Sequence, residues 1–191
     1  MLLTSTTLNG AVSNDSNNNI TMSVGNTVIA NVNSSGIFFE SGKKAIYTGA
    51  VLQVVSVVYA TSTTIASDTY VDTGLSASIT PSSTSSKILV ITSQSSFGVL
   101  GNNSGRNYYV RLVRGSTALA ERSTEINATV GSNGFKTGAV EGSWSYLDSP
   151  NTTSSTTYKS QAKVSNTADT CQIRFQWENM QSSIILLEIA G

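Results

Sequence analysis

Short runs in which apolar and polar residues alternate dominate the chain, and clusters of Gly, Asn, Ser and Pro separate them. In ITMSV (residues 20–24) the apolar side chains alternate with Thr and Ser, which is the period of a half-buried strand. The Gly-Asn pair that follows tolerates the positive φ of a tight hairpin turn, so residues 27–32 are predicted to form the returning strand. A second turn leads into the IFF run at residues 37–39. This segment therefore predicts two or three short antiparallel strands.

From residue 51 the predicted strands become longer and more apolar. VLQVVSVVYA (51–60) is almost continuous in Val, which indicates burial on both faces, either as a central strand or between subunits. The terminal run IILLEIAG (184–191) is expected to lie inside a sheet. Roughly nine or ten strands separated by turn residues, with no helical period, are typical of an antiparallel sandwich. The sequence predicts an all-β protein, with an N-terminal β-hairpin segment over 1–50 and a jelly-roll-like β-sandwich over 51–191.

The predicted hairpin needs a packing partner. A two-stranded hairpin alone is marginally stable in water. The preceding stretch LTSTTLNGAVSNDSNNN is too polar to supply a core. The partner is either the rest of this chain or other copies of it.

The composition excludes several classes of function. Charged residues make up 12% of the chain and the formal net charge is +0, so the basic surface needed for nucleic-acid binding is absent. No apolar run approaches the ~20 residues that span a bilayer, and the N-terminus lacks the features of a secretory signal. We expect neither membrane insertion nor a nucleic-acid partner.

Catalytic and metal-binding chemistry also finds little support. The chain has no histidine, so a Ser-His-Asp or Cys-His nucleophile and imidazole metal ligands are impossible. Asp68 and Asp72 face the same side of a strand-like stretch, but such a pair is more typical of a turn or surface than of a glycosidase. The single Cys171 excludes an intrachain disulfide and is interpreted as a small buried hydrophobe. We expect no enzyme activity, no cofactor and no metal.

Aromatic and loop residues are the candidates for carbohydrate contact. Trp144 and Trp177 lie in strand-like runs and are predicted to pack in the core or at a subunit interface, whereas Tyr108 and Tyr109 point to opposite faces. In LDSPNTTSSTTYK (147–159) we expect Asp148 to accept hydrogen bonds from backbone amides in a loop, with a sugar contact as the alternative. The candidate glycan-binding residues are Asn102, Asn103, Arg106, Tyr109 and Asn151.

Residues from about 50 to 191 resemble the C-terminal domain of virion structural proteins from tailed bacteriophages of marine bacteria. The similarity lies in LQVVSVVY, DTYVDTGLSASITPSSTSSKILV, YVRLVRGSTAL and IILLEIAG, and it is most specific in LDSPNTTSSTTYK. The N-terminal ITMSVGNTVIANVNSSGIFF is similar to the strand-turn repeats that lead into the knobs of fibre proteins. Such domains occur in fibre and appendage proteins.

The resemblance implies a β-rich, trimeric fibre tip without a catalytic site. It implies a non-enzymatic tail fibre or appendage on the virion, which attaches to other virion proteins through its N-terminal segment and displays a knob to host-surface glycan. A capsid decoration protein or head fibre is the alternative, and a glycan-cleaving appendage enzyme is less expected. In the homotrimer each copy would bury one face of its hairpin against the others. The expected interface residues are Ile20, Met22, Val24, Val28, Ile37 and Phe39.

Overall fold

A computed structural model describes residues 11–14, 20–24, 27–33, 36–41, 48–100, 106–126, 136–140, 142–167 and 171–191. These residues form sixteen strands and one 3₁₀ turn, and every strand pair is antiparallel. The chain divides into two compact units, Met1–Tyr47 and Thr48–Gly191. Within the described residues there is no helix with the length and apolar character needed to span a membrane.

The described residues of the first unit form four strands, and those of the second form twelve strands and the 3₁₀ turn Trp177–Asn179. The strands are β1 (Ala11–Asn14), β2 (Ile20–Val24), β3 (Thr27–Asn33), β4 (Gly36–Phe39), β5 (Val51–Tyr59), β6 (Thr63–Ile65), β7 (Val71–Ile79), β8 (Lys87–Ser93), β9 (Ser96–Leu100), β10 (Arg106–Arg114), β11 (Thr117–Ile126), β12 (Lys136–Ala139), β13 (Trp144–Asp148), β14 (Thr156–Val164), β15 (Gln172–Phe175) and β16 (Ser182–Ile189).

The first unit is a meander in the order β1-β2-β3-β4, so the predicted strands and their antiparallel pairing are confirmed, whereas the predicted turn residues 25–26 and 34–35 lie outside the described residues. Because directly paired residues share a face, the register aligns apolar side chains in two rows across the sheet. One row joins Ile20 to Val32 and Ile37, and the other joins Met22 to Ala30 and Phe39. We call the six residues of these two rows together the meander row.

The two sides of the meander differ in chemistry. On the side opposite the meander row, the Thr21 hydroxyl donates a hydrogen bond to Asn31 Oδ1 at 3.0 Å. Ile37 is 61% exposed and Phe39 is 43% exposed, whereas Ala30 is buried. The opposite side also holds Phe38, which is 50% exposed, so the meander row is apolar and partly open whereas the other side mixes polar groups with one exposed aromatic ring.

Two of the residues expected at a trimer interface stand apart from the meander row. A register shift between Met22 and Ser23 places Val28 opposite Ser23. The side chain of Val24 lies outside the described part of the chain.

The second unit is an antiparallel β-sandwich, as predicted. Its sheets have the orders β13-β8-β16-β5, β11-β10-β14-β7 and β12-β9-β15-β6. All three contribute to one buried core, which includes Leu186, Tyr158 and Phe175. The predicted strands alternate as expected: in β10, Tyr108 is fully buried and Tyr109 lies on the outer side.

Several finer predictions meet the structure here. The terminal strand β16 lies inside its sheet between β8 and β5, and Trp144 and Cys171 are buried, as expected. The prediction of a central strand at VLQVVSVVY is wrong, because β5 forms an edge of its sheet.

The expectation of a core position for Trp177 is also wrong. The backbone at Gln176 and Glu178 is left-handed, with φ of 50° and 55°, and this turns the chain out of the strand. Trp177 is 36% exposed, and its ring lies 4.5 Å from the Arg174 guanidinium.

Candidate functional site

The outward side of the sheet β11-β10-β14-β7 has a row of polar side chains across all four strands. The register places Glu121 beside Arg111, Arg111 beside Gln161, and Gln161 beside Asp72. Arg111 donates to Gln161 Oε1 from Nε at 2.9 Å and from Nη2 at 2.7 Å. Gln161 Nε2 in turn donates to Asp72 Oδ1 at 2.7 Å. We call this surface the polar face.

Two tyrosine rings and two cations lie next to that row. The Arg111 guanidinium stacks on the Tyr70 ring at 3.7 Å from its centroid. Lys163 Nζ lies 5.0 Å from the centroid of Tyr70 and 4.9 Å from that of Tyr109, so it bridges the two rings. Cations over aromatic faces stabilise one another by about 1 kcal/mol at partly exposed sites. The polar face is therefore ordered by its own side chains.

The ionisable groups of the polar face respond to these neighbours. Burial, and then the nearby Glu121 carboxylate, raise the pKa of Tyr70. Partial burial alone would raise the pKa of Asp72, but hydrogen bonds from Lys159 and Gln161 outweigh it and lower the pKa. Lys159 Nζ lies 2.8 Å from Asp72 Oδ2. Asp72 is thus held as a carboxylate.

A shallow cleft of about 280 Å³ lies at one side of the polar face. Its lining includes Asp72, Lys159 and the backbone of Gly74, which has a φ of 91°. The register of β7 and β14 shifts beside Gly74, and this β-bulge opens the surface between the two strands. The cleft offers one carboxylate, one ammonium and hydroxyl groups to a small polar ligand.

The residues predicted to contact glycan do not form one site. Tyr109 lies on the polar face, whereas Asn151 is an exposed turn residue with a φ of 53°. Tyr109 pairs with Lys163 toward the end of β14, whereas Asn151 precedes the first residue of β14, Thr156. Lys163 and Thr156 are about 23 Å apart at the rise of an extended chain. Asn102, Asn103 and the side chain of Arg106 lie outside the described residues.

Asp148 has a different role from the one expected. It ends β13 and accepts hydrogen bonds from Arg114 Nη1 at 3.0 and 2.8 Å and from the Tyr158 hydroxyl at 2.7 Å. Burial, and then this hydrogen bond to Asp148, raise the pKa of Tyr158. Asp148 belongs to the sheet β13-β8-β16-β5, whereas Arg114 and Tyr158 belong to the sheet β11-β10-β14-β7, so the cluster joins these two sheets.

Sequence reasoning missed a second buried carboxylate, Glu188 in β16. Its Oε1 accepts from the Ser82 amide at 2.7 Å, the Ser82 hydroxyl at 2.6 Å and the Ser86 hydroxyl at 2.7 Å, and its Oε2 accepts from Gln53 at 2.6 Å. Burial would raise the pKa of Glu188, but these hydrogen bonds lower it to about 2. A lone Glu in the apolar run IILLEI was the available signal, since a buried charge needs such partners.

In the described part of the chain, no three Asp, Glu or Cys residues lie close enough together to hold a metal ion.

Comparisons with known proteins give remote likenesses. No family profile matches the chain, and no curated protein does. Structures of infectious bursal disease virus are similar at 9% identity with a TM-score of 0.32 for the Gx strain, and at 9% with 0.28 for the Gt strain. The crystal structure of the VP2 subviral particle of that virus is similar at 8% with 0.29.

The extent of these likenesses is also limited. They cover 74%, 95% and 73% of this chain, in the order Gx strain, Gt strain and subviral particle. The chain spans 39%, 47% and 38% of those chains, which is less than half of each. Identities and TM-scores at this level establish neither fold nor function for this chain.

Proposed function

We propose that this chain is a non-enzymatic structural protein of a bacteriophage particle, in which three copies associate through the N-terminal meander and carry the β-sandwich as an outward knob. The observation that carries the proposal is the meander row, an apolar surface across three strands of the meander that is partly open at Ile37 and Phe39. The sequence resemblance of residues 50–191 to phage virion proteins supports the virion location.

The meander row suits an interface between copies. Ile37 and Phe39 are the exposed members of the row, and Val32 and Ala30 of β3 lie between them and the half-buried Ile20 and Met22. A four-stranded sheet with one apolar side gains stability when that side is covered. Three meanders around a common axis would cover all three apolar sides at once, and a closed oligomer has no further copies to recruit.

The polar face is the surface that would meet a host glycan. It presents guanidinium, amide, carboxylate and phenol groups, which are the donors and acceptors that sugar hydroxyls need. Because Lys163 lies against the Tyr109 ring, a sugar would bind beside the ring or displace the ammonium. Weak binding at each knob would be multiplied by three linked copies.

The state of the buried acids supports a structural rather than an enzymatic role. Asp148 is bonded to Arg114 and Tyr158, and Glu188 accepts four hydrogen bonds. Each carboxylate is thus engaged in holding strands together, whereas a glycosidase requires two carboxyl groups that face a common sugar.

Molar mass in solution tests the meander proposal. We expect three protomer masses for the full chain by light scattering, and dissociation in an Ile37→Lys/Phe39→Lys variant. Phe38→Lys is the matched control, since Phe38 is exposed on the opposite side beside Asn31. A variant that remains trimeric would overturn the meander interface.

Gold-labelled antibody on purified particles tests the virion location. Label on the tail supports a tail fibre or appendage, label on the capsid supports the decoration or head-fibre alternative, and unlabelled particles contradict both.

Binding to arrayed glycans, compared between the wild type and Arg111→Ala, tests the polar face. Equal binding by the two proteins would contradict its role.

A further inference from the structure

We propose that the outward side of the sheet β13-β8-β16-β5 is a second interface between copies of this chain, separate from the meander. In β8, buried Ile88, Val90 and Thr92 point inward, so the alternate residues Leu89 and Ile91 point outward. In β16, Ile185 and Leu187 point outward in the same way.

The strand register joins these outward residues into a continuous apolar surface. One row crosses all four strands through Leu147, Leu89, Leu187 and Val54. Ile91 and Ile185 lie side by side in the next row. We call the surface formed by these six residues the apolar face.

Exposure is concentrated on this sheet. Eight large apolar side chains are exposed among the described residues of the second unit, and five of them, Val51, Val54, Val58, Ile91 and Leu147, come from this one sheet. Val54 is 58% exposed and Leu147 is 53% exposed, although they occupy opposite edges of the sheet. The exposed apolar residues therefore extend across the whole width of the sheet.

The size of the whole outward side of this sheet matches an interface between copies. Four strands about 4.8 Å apart and about eight residues long at 3.3 Å each give roughly 500 Å² for that side. The apolar face is its centre, and outward Lys87, Ser56, Ser93, Ser145 and Ser183 lie around it. Two such sides in contact bury about 1,000 Å² in total, the lower limit for a specific protein–protein interface, so the contact needs most of the sheet side, with an apolar centre and a polar rim.

The chemistry of the face favours a second copy over another partner. Its six residues have no charge and no hydrogen-bonding side chain, so an acidic, basic or carbohydrate ligand would find no complementary group. An uncharged apolar surface is complementary to a second copy of itself, and two sheets pack face to face about 10 Å apart in ordinary β-sandwiches. Sheet-on-sheet packing of copies would cover the face without any charge pairing.

Association of the full chain tests the inference, which does not depend on the number of copies proposed above. We expect sedimentation equilibrium to show that Val54→Lys/Leu147→Lys weakens association by about 100-fold or more, since two charges would then be buried in an apolar contact. Both side chains are more than half exposed, so we expect the circular dichroism spectrum and melting temperature to be retained. The matched control is Val71→Lys, which changes a 42% exposed valine on the other sheet and should associate as the wild type does.

Two results would overturn the inference: a wild-type chain that stays monomeric at high micromolar concentration, or a double variant with wild-type association. Its failure is distinct from that of the meander interface, because Ile37→Lys/Phe39→Lys probes that interface in the same assay. A wild-type dimer that the apolar-face variant dissociates would support this inference and contradict the proposed trimer.

Discussion

The two outer sides of the sandwich have the same backbone architecture and opposite chemistry. In β14, TTYKSQAKV, the outward positions hold Lys159, Gln161 and Lys163, which bond to neighbours on the polar face. In β16, SSIILLEI, the outward positions hold Ile185 and Leu187. Both strands are inside four-stranded antiparallel sheets, so hydrogen bonding does not account for the difference.

The difference shows what alternation in a sequence reports. A strand alternates when one of its sides meets water, and it becomes continuously apolar when both sides are to be covered. The structure covers the inward side of β16 with the core and leaves its outward side open. The proposed contact between copies at the apolar face would account for this contrast with β14. Two predictions concern the contacts between these two sheets, and two further predictions concern each sheet separately.

The largest effect is expected at Gly74, where the two sheets meet. A methyl group there would overlap the Tyr59 ring of β5, and the φ of 91° disfavours any L-residue. We expect Gly74→Ala to destabilise the fold by about 4 kcal/mol in urea titration, from backbone strain and overpacking together. Gly49→Ala is the control, because Gly49 has a φ of 88° and open space around it. Equal losses in the two variants would show that Tyr59 does not hold this contact.

The Asp148 cluster is the second contact between the two sheets. Asp148→Ala would leave the Arg114 charge and the Tyr158 hydroxyl without their acceptor, and we expect a loss of about 3 kcal/mol of unfolding free energy. The exposed Asp68 provides the control, and Asp68→Ala should stay within about 0.5 kcal/mol of the wild type. An Asp148→Ala protein as stable as this control would contradict the role of the cluster.

Glu188 stabilises the sheet that has the apolar face, and its effect depends on pH. Glu188→Gln should cost about 2 kcal/mol at neutral pH, because the charged acceptor of four hydrogen bonds is lost. The pKa of Glu188 falls from 4.5 to about 2 on folding, so its stabilisation is complete above pH 4.5 and is lost as pH falls toward 2. The stability gap between wild type and variant should therefore narrow over that range in acid. A gap that is constant with pH would contradict the assignment.

The smallest effect is expected on the polar face itself. The Lys159–Asp72 ion pair is partly exposed, so Lys159→Met should cost about 0.5 kcal/mol at low salt, and the loss should vanish at high salt. Methionine retains the apolar stem over the sheet, so the charge alone is tested. A larger loss of unfolding free energy that persists at high salt would contradict the interpretation of this ion pair as a solvent-screened surface contact.

Local patterns were enough to predict the strands. The alternation in ITMSV and the turns that follow it gave β2, β3 and β4, and the turn spacing gave an all-β sandwich. The pattern also assigned opposite sides to Tyr108 and Tyr109. These features depend on residues close in sequence, which a single chain displays directly.

Side-chain contacts between residues far apart in the sequence could not be predicted from the sequence. The partners of Asp148 come from β10 and β14, and those of Glu188 come from β5 and the turn at 82–86, so no local spacing reveals them. The edge position of β5 was missed because continuous valines indicate coverage on both sides without naming what covers them. Trp177 was misplaced because two left-handed residues interrupt a strand-like pattern.

Hydrogen exchange over a range of protein concentrations tests the central claim most directly, because it compares both sheets in one sample. The edge strands β5 and β11 flank the apolar face and the polar face respectively. The account predicts that amides of β5 exchange more slowly as concentration rises, while those of β11 do not change. Exchange in β5 that is independent of concentration, or that slows equally in β11, would contradict an interface at the apolar face.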